Sequence, residues 1–362
     1  MTQLTIDLNA LAHNYKQLRK LLPQYTKMIG VVKANAYGFG AIEIAKQLVA
    51  LGCEYLAVAY AQEGMALRKA GIEAPIMVFY PLRENTERLV QYRLEPALYS
   101  TAFITAFKTT VEAHGLKDYP VHLKCNTGLN RIGLSGNEVN DFLDQLPQLP
   151  FKLCSVYSHL AASENEQPCA FTSAQIDRFK ELQSNIKSKV EATPFFHLLN
   201  SSGCFNYPET HFDAVRTGIA LFGFANRNDW DQTLKPIASL STSIVQIHTI
   251  KKGESVGYNQ GWIAPKDSRI AVLPLGHADG IQRALGHEKG GVWIRNQWAP
   301  IIGNVCMDLF MVDISEVNCS IDDRAVLFDQ AHPANVLAEK AGTISYELFT
   351  GLGQRIERNY TD

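Results

Sequence analysis

Five polar side chains follow short apolar segments of the sequence and could form one reactive cavity. They are Lys33, Lys124, His159, Asn200 and Arg216. In a barrel of parallel strands, the carboxyl ends of the strands meet around one mouth, where active sites are built. One such side chain alone is more often a rim ion pair or a capping residue. Five of them at corresponding positions indicate a shared site dominated by amines and a guanidinium.

Lys33 could be the nucleophilic amine of this site. A lysine directly after a buried strand is poorly solvated, which lowers its pKa and leaves a neutral amine. Such amines form Schiff bases with carbonyl compounds, including pyridoxal 5'-phosphate (PLP). Segments 200–203 and 216–219 offer hydroxyls and backbone N–H groups after later strands, where barrels commonly hold a phosphate.

The elements that must position these residues alternate between strands and helices. Eight short apolar runs predict strands at 28–32, 55–58, 76–79, 94–98, 121–123, 153–157, 195–199 and 214–215. Amphipathic patterns between them predict helices such as 42–51, 64–70, 102–113 and 171–190. This alternation favours βαβ units with a parallel sheet, and eight strands fit a (β/α)8 barrel of roughly 250 residues.

The pattern changes beyond Leu234. Strand-like runs separated by turn residues occur at 243–250, 269–275, 291–294, 299–305 and 325–328, followed by a helical pattern at 339–352. We therefore predict an α/β protein with a PLP-binding (β/α)8 barrel over residues 7–233. A mostly β C-terminal domain over 234–362 follows it, and residues 1–6 add a strand to that domain.

Composition and charge exclude several classes of protein. The 34 basic and 36 acidic residues give a net charge of −2, which argues against nucleic acid or an anionic membrane as partner. No apolar run reaches the ~20 residues of a membrane span, and the first residues do not resemble a signal peptide. The seven cysteines are scattered without a C-x-x-C pair, so we expect reduced thiols in a cytoplasmic protein and no metal site.

The sequence resembles the alanine racemases, PLP-dependent enzymes of fold type III. The motifs that carry the resemblance include VVKANAYGFG (31–40), HLKCNTGLNRIG (122–133), HLLNSSG (197–203), VRTGIALFG (215–223), GESVGYNQGW (253–262), PLGHADG (274–280) and GNVCMDLFMVDI (303–314). They occur in the family's order and spacing over essentially the whole chain. The resemblance implies interconversion of L- and D-alanine, supply of D-alanine for peptidoglycan, and a homodimer with active sites shared between chains.

The resemblance also implies individual roles. Lys33 and Tyr258 are the two catalytic bases. Arg131 and the backbone of Met307 contact the substrate. The residues implied around PLP are Lys33, Tyr37, His159, Asn200, Ser201, Arg216, Gly218 and Ile219. Supporting residues are Lys124, Cys306, Asp308 and His277.

These roles make chemical sense. Racemisation removes a proton from one face of Cα and returns one to the other, which suits two bases. A nearby arginine would lower the pKa of the Tyr258 phenol. Arg216 has no acceptor and stays protonated, so it leaves the pyridine nitrogen of PLP unprotonated and disfavours transamination and decarboxylation. The resemblance also implies that CO2 carbamylates Lys124; the alternative is an ordinary lysine paired with a carboxylate or chloride.

Two positions depart from the family pattern. His277 stands where much of the family has tyrosine, and Gln354 stands where some members have a phosphate-binding tyrosine. His277 could alter substrate selection or the pH profile, or replace one hydrogen bond; we expect the last.

Other functions remain open from the residues alone. They are a PLP-dependent decarboxylase on the same barrel, a racemase of broader specificity, a non-enzymatic PLP-binding protein, and a sugar enzyme without PLP. Arg216 disfavours the decarboxylase. A PLP-binding protein of the barrel alone would lack the domain that carries Tyr258, and the sugar enzyme would need paired carboxylates at the strand ends.

Overall fold

The computed structural model describes residues 2–164, 169–225 and 228–362. The chain divides into two compact units. The barrel unit contains residues 11–36 and 41–235, and the sheet unit contains residues up to 10, 37–40 and 236–362. Among the described residues, no helix is long and apolar enough to cross a membrane.

The barrel unit contains a closed barrel of eight parallel strands, in which β9 returns to pair with β2. The strands are β2 (Lys27–Val31), β3 (Tyr55–Val58), β4 (Ile76–Val78), β5 (Glu95–Leu98), β6 (Tyr119–Lys124), β7 (Phe151–Tyr157), β8 (Phe195–His197) and β9 (Ala214–Thr217). In β2, β3 and β4 the side chains are buried in nearly continuous runs, as expected when helices cover the outside of a parallel sheet. The predicted fold class is confirmed.

Helices connect these strands along the chain. Their bounds are Leu8–Leu21, Ala41–Ala50, Ala61–Lys69, Thr86–Gln91, Thr101–Ala113, Gly136–Gln145, Ala170–Lys189, Ser201–Asn206 and Asn228–Asp231. Side chains define some of the ends. The Ser100 hydroxyl accepts the N–H of Phe103 at 3.2 Å, which satisfies a free donor in the first turn of Thr101–Ala113.

The sheet unit is built on a nine-stranded sheet in the order β11-β14-β17-β16-β15-β18-β10-β1-β19. The strands are β1 (Gln3–Asp7), β10 (Ala238–Ser243), β11 (Gln246–Ile250), β14 (Ser268–Leu273), β15 (Gly291–Ile294), β16 (Gln297–Ile302), β17 (Phe310–Asp313), β18 (Arg324–Phe328) and β19 (Glu357–Thr361). A separate hairpin pairs β12 (Ser255–Val256) with β13 (Trp262–Ile263). Strand β1 lies between β10 and β19, antiparallel to the first and parallel to the second.

Two predicted elements of the sheet unit are wrong. The expected strand at 243–250 is two strands, β10 and β11, which are far apart in the order of the sheet. The expected helix at 339–352 is two helices, Ala334–Lys340 and Ser345–Thr350. Gly342 between them has a φ of +75°, a left-handed conformation that ends a helix and that glycine adopts without strain.

Short 3-10 turns complete the structure. They are Arg83–Asn85, Leu146–Gln148, Pro208–Thr210, Ile219–Phe222, Tyr258–Gln260, His277–Asp279 and Arg283–Leu285. Two of them carry predicted site residues of the sheet unit, Tyr258 and His277.

Candidate active site

Five predicted site residues lie at the carboxyl ends of barrel strands. Lys124 is the last residue of β6, and Arg216 is the last but one of β9. Lys33, His159 and Asn200 follow β2, β7 and β8 by two or three residues. This is the end of a (β/α)8 barrel where active sites are built.

The backbone after Lys33 forms a left-handed turn. Residues 34 to 37 have φ values between 50° and 57° without a single glycine among them, at a cost of roughly 1–2 kcal/mol for each residue. The Glu63 carboxylate accepts the N–H of Ala34 at 2.6 Å, and the Asn35 side chain accepts the N–H of Ala41 at 2.9 Å. Such strain persists only where surrounding contacts hold it, typically at functional sites.

The amine of Lys33 has a lowered pKa. Burial is the main cause, and the cations of Arg131 and Arg216 add to it, while Glu63 opposes them. A lysine in this environment has a larger fraction of neutral amine, which can attack a carbonyl or accept a proton.

Arg216 is buried at the centre of a hydrogen-bond network. Its Nη1 donates to His197 Nδ1 at 2.8 Å, and its Nη2 donates to the carbonyls of Ser158 and Leu198 at 2.8 Å and to His159 Nδ1 at 3.1 Å. In the described part of the chain, every hydrogen bond of Arg216 starts from Nη1 or Nη2. Its Nε–H therefore remains for a ligand with an acceptor atom.

Burial and neighbouring cations set the charges of this network. Burial lowers the pKa of Arg216 to about 10, which keeps it protonated at neutral pH. Burial and the Arg216 charge lower the pKa values of His159 and His197 well below their usual range. Both rings are therefore neutral and can accept from Arg216 through Nδ1.

Lys124 is buried beside these cations. Its Nζ donates to the Cys125 carbonyl at 3.3 Å and lies 5.0 Å from the centre of the Tyr157 ring. Burial, with Arg216 and Arg131, lowers the pKa of this lysine to about 7. A substantial fraction of Lys124 is thus a neutral amine at neutral pH.

The segments that follow β8 and β9 lie next to each other. The Ser201 hydroxyl accepts the N–H of Gly218 at 3.0 Å, and Ile219 is buried beside it. The Asn200 side chain accepts the N–H of Gly203 at 3.0 Å. The structure thus brings together Asn200, Ser201, Gly218 and Ile219 at one edge of the barrel mouth, where hydroxyl and N–H groups could contact a phosphate.

A second set of predicted residues lies on the sheet unit. Tyr258 and Met307 have 71% and 59% of their surface exposed, and both line an open cavity of about 660 Å3 together with Cys306 and Asp308. The Asn304 side chain donates to the carbonyl of Tyr258 at 3.0 Å.

Backbone contacts hold His277 in this set. Its N–H donates to the Cys306 carbonyl at 2.9 Å, and the next N–H donates to the Met307 carbonyl at 3.0 Å. The carboxylate of Asp308 pairs with Arg355 at 2.7 Å. Tyr37 also belongs to the sheet unit, where its ring lies 5.9 Å from that of Tyr346.

Three residues that shape the barrel part of the site are not among those predicted from the sequence. Glu63 holds the turn after Lys33, Tyr157 lies under Lys124 and Arg216, and His197 binds Arg216. The predicted residues follow strands, whereas His197 and Tyr157 lie within strands. A polar residue inside an apolar run is the signal in the sequence that indicates them. Among the described residues, no cluster of His, Cys, Asp and Glu could hold a metal ion.

Comparisons with known proteins agree over the whole chain. The family profile "Alanine racemase, N-terminal domain" matches residues 6–226, and "Alanine racemase, C-terminal domain" matches residues 237–360. The alanine racemase of Treponema denticola is 36% identical over 100% of this chain and 98% of its own length. That of Carboxydothermus hydrogenoformans is 35% identical over 98% of both chains.

Solved structures give the same result. An alanine racemase from the D-cycloserine-producing Streptomyces lavendulae has a TM-score of 0.94 at 27% identity, over 100% of this chain and 97% of that one. An alanine racemase from Bartonella henselae with covalently bound pyridoxal phosphate has a TM-score of 0.90 at 28% identity, over 99% of both chains.

Proposed function

The chain belongs to the alanine racemase family, and we propose that Lys33 and Tyr258 are its two catalytic bases. The protein is a PLP-dependent isomerase that interconverts L- and D-alanine, and a decarboxylase on the same barrel is not favoured. The observation that carries the proposal for Lys33 is its partly buried amine with a lowered pKa. Such an amine can accept the α-proton of alanine.

The residues at the barrel mouth fit PLP. Lys33 supplies the amine that a Schiff base requires, and Ser201, with Gly218 beside it, supplies groups for the phosphate. The Nε–H of Arg216 is suited to the pyridine nitrogen, because a guanidinium can only donate. We assign Tyr37 and Ile219 to the phosphate and His159 and Asn200 to the surroundings of the ring. Bound PLP supplies an electron sink for the charge that develops at Cα.

The chain's own groups would place alanine between the two bases. Arg131 and the backbone of Met307 hold the substrate carboxylate in this proposal, so that Cα faces Lys33 on one side and Tyr258 on the other. The phenolic oxygen of Tyr258 is the atom that exchanges the proton on its side of Cα. Tyr258 then removes the α-proton of L-alanine while Lys33 returns a proton to the opposite face of Cα, and the two roles are exchanged for D-alanine.

We further propose a homodimer in which Tyr258 and Met307 of each chain complete the barrel site of the other. The support is the high exposure of both residues around the open cavity of the sheet unit, since catalysis by proton transfer benefits from exclusion of water. A symmetric head-to-tail arrangement would bury both cavities at once.

Mixed refolding tests the bases and the dimer together. Lys33→Ala and Tyr258→Phe chains, each inactive alone, should regain roughly one quarter of wild-type activity when refolded together, because about half of the dimers are mixed and each has one intact site. Each variant refolded alone is the control. No recovery, despite subunit exchange confirmed by mass spectrometry, contradicts the shared site.

We propose that the Lys124 amine carries a carbamate. A carbamate forms on a neutral amine, which the pKa of about 7 makes available, and its negative charge would pair with Arg131. Labelling with carbon-13 bicarbonate should give a carbamate signal in NMR spectra that Lys124→Met lacks. Fully active enzyme without that signal contradicts the assignment.

We also propose that the enzyme works in the cytoplasm and supplies D-alanine for peptidoglycan. None of the seven cysteines forms a disulfide, as is usual in reducing compartments. Disruption of the gene in its host should make growth depend on added D-alanine. Normal growth and normal D-alanine content would exclude this as the main source.

A further inference from the structure

A chain of hydrogen bonds crosses the interior of the barrel, with one residue from each of five neighbouring strands, β5 to β9. We call these residues the barrel relay: Glu95, His122, Ser155, His197 and Arg216. Glu95 Oε2 lies 3.0 Å from His122 Nε2, whose Nδ1 lies 2.7 Å from Ser155 Oγ. Ser155 Oγ lies 3.0 Å from His197 Nε2, whose Nδ1 lies 2.8 Å from Arg216 Nη1.

A bulge in β7 places Ser155 in this chain. Val121 of β6 pairs with Leu153, but the next residue, His122, pairs with Ser155, so that Cys154 is the extra residue. Because side chains alternate along a strand, regular pairing would set Cys154 opposite His122. The bulge turns the serine hydroxyl into the buried space between two histidines.

The two ends of the relay fix the direction of its hydrogen bonds. At one end, the guanidinium of Arg216 can only donate, so its bond to His197 forms only when the ring accepts at Nδ1 and carries its hydrogen on Nε2. At the other end, an ionised Glu95 can only accept, so His122 carries a hydrogen on Nε2. Ser155 joins the halves, because one hydroxyl can accept from His197 and donate to His122.

Charge and burial reinforce this single direction. The relay begins at a cation and ends at an acidic residue, and His122, Ser155 and His197 are completely buried. Burial and the Arg216 charge keep the pKa of His197 well below its usual range, so that ring is neutral. Hydrogen bonds in series polarise one another where the dielectric constant is low.

We propose that Glu95 is a positioning residue for racemisation, although it lies at the opposite end of the barrel from the reaction. Its carboxylate fixes the barrel relay in one direction, and the relay holds Arg216 with Nε–H directed at the cofactor. If His197 carried its hydrogen on Nδ1, two N–H groups would face each other and Arg216 would turn away. The inference rests on the proposed contact between Arg216 and the pyridine nitrogen.

Nitrogen-15 NMR of the histidines in the wild-type holoenzyme tests the relay without a substitution. Both His122 and His197 should show a protonated Nε2 and an acceptor Nδ1. The His122→Gln and His197→Gln variants assign the two signals among the ten histidines. A wild-type His197 protonated at Nδ1 would overturn the proposal.

Two substitutions test the connection to catalysis. Glu95→Ala and Ser155→Ala should each give His197 a mixture of tautomers and lower kcat about tenfold, with little change in KM for alanine. Glu95→Ala added to Ser155→Ala should have no further effect, because a broken relay no longer transmits the carboxylate. Additive losses in the double variant would contradict a relay.

Glu54→Ala is the matched control. Glu54 lies just before β3, at the same end of the barrel, and accepts the N–H of Met28 at 2.9 Å outside the relay. Its loss should leave kcat and the His197 tautomer unchanged, whereas a drop like that of Glu95→Ala would indicate general damage and refute the relay.

Arg216→Met separates the relay from the proposed function. If Arg216→Met leaves the visible spectrum of bound PLP unchanged, Arg216 does not contact the ring and the proposed role of Arg216 fails. In the other case, Arg216→Met changes the spectrum of bound PLP while a folded Glu95→Ala variant keeps the wild-type spectrum, His197 tautomer and kcat. The proposed role of Arg216 then stands and only the relay fails. If Ser155→Ala does not fold, Glu95→Ala remains as the test, because Glu95 lies at the edge of the barrel interior with 12% of its side chain exposed, whereas Ser155 is completely buried.

Discussion

The barrel unit buries its candidate residues among hydrogen bonds, whereas the sheet unit presents its own on the surface. Arg216 and Lys124 each have 4% of their surface exposed, compared with 71% for Tyr258. In the barrel, burial and nearby cations shift pKa values within a single chain. The exposed Tyr258 has no comparable burial in its own unit. In the proposed dimer, its chemical environment comes from the barrel of the partner chain. Substitutions in the two units should therefore separate effects on stability from effects on catalysis.

Tyr258→Phe should have the largest effect on activity and almost none on stability. Removing a base costs roughly 10²–10⁴-fold in rate, and the loss should be greater for L-alanine, from which we assign Tyr258 to remove the proton. Exchange of the α-hydrogen with solvent deuterium, measured separately from L- and D-alanine, shows for which enantiomer proton removal is lost. Tyr25→Phe, at a tyrosine that is 76% exposed in the barrel unit, is the control for both activity and melting temperature. Equal residual exchange from both enantiomers contradicts the two-base assignment.

Arg216→Met should impair stability as well as activity. The substitution leaves the buried carbonyls of Ser158 and Leu198 without their donor, and we expect a loss of about 3 kcal/mol in the free energy of unfolding. Arg295→Met in the sheet unit is the comparison, because Arg295 pairs with Asp323 at 3.0 Å with 55% of its side chain exposed. It should cost less than about 1 kcal/mol. If urea denaturation shows equal losses in the free energy of unfolding for Arg216→Met and Arg295→Met, the proposed difference between the two units is wrong.

Lys124 should make the stability of the barrel depend on pH in bicarbonate-free buffer. Its pKa is about 7 in the folded chain and near ~10.4 in an unfolded one, so the unfolded chain binds more protons between these values. Stability should therefore rise from pH 7 to 9, by up to about 1.4 kcal/mol per pH unit. Lys124→Met should flatten this slope, and Lys46→Met, at an exposed lysine, should not. If stability depends on pH with the same slope in the wild type, Lys124→Met and Lys46→Met, then Lys124 is charged in the folded chain.

His277→Tyr should have the smallest effect, with kcat and KM within about twofold of wild type. The loop at His277 is held through backbone N–H groups that donate to Cys306 and Met307, and these bonds do not depend on the side chain. Steady-state kinetics with L-alanine, D-alanine and L-serine check this expectation. A change in preference for serine would instead make His277 a determinant of specificity.

The sequence predicts the barrel strands because each contains a short apolar run that is mostly buried. It also predicts that Lys124 and Arg216 lie at their carboxyl ends, since a polar residue closes each run. The barrel relay could not be predicted, because its geometry depends on which residue of β7 pairs with His122. Nothing in the residue types of 34–37 indicates four successive left-handed conformations; contacts with distant residues such as Glu63 impose them.

The position of β1 has a consequence for how the protein is made. Residues 3–7 pair with residues 357–361, so β1 leaves the ribosome about 350 residues before its partner β19 and waits for it. At about 5–20 residues per second, this wait lasts tens of seconds. The hydrogen-bonding edge of β1 meanwhile has no β19 to cover it, and it is open to chaperones or to the same strand of another nascent chain. Loss of residues 357–361 would make this temporary exposure permanent.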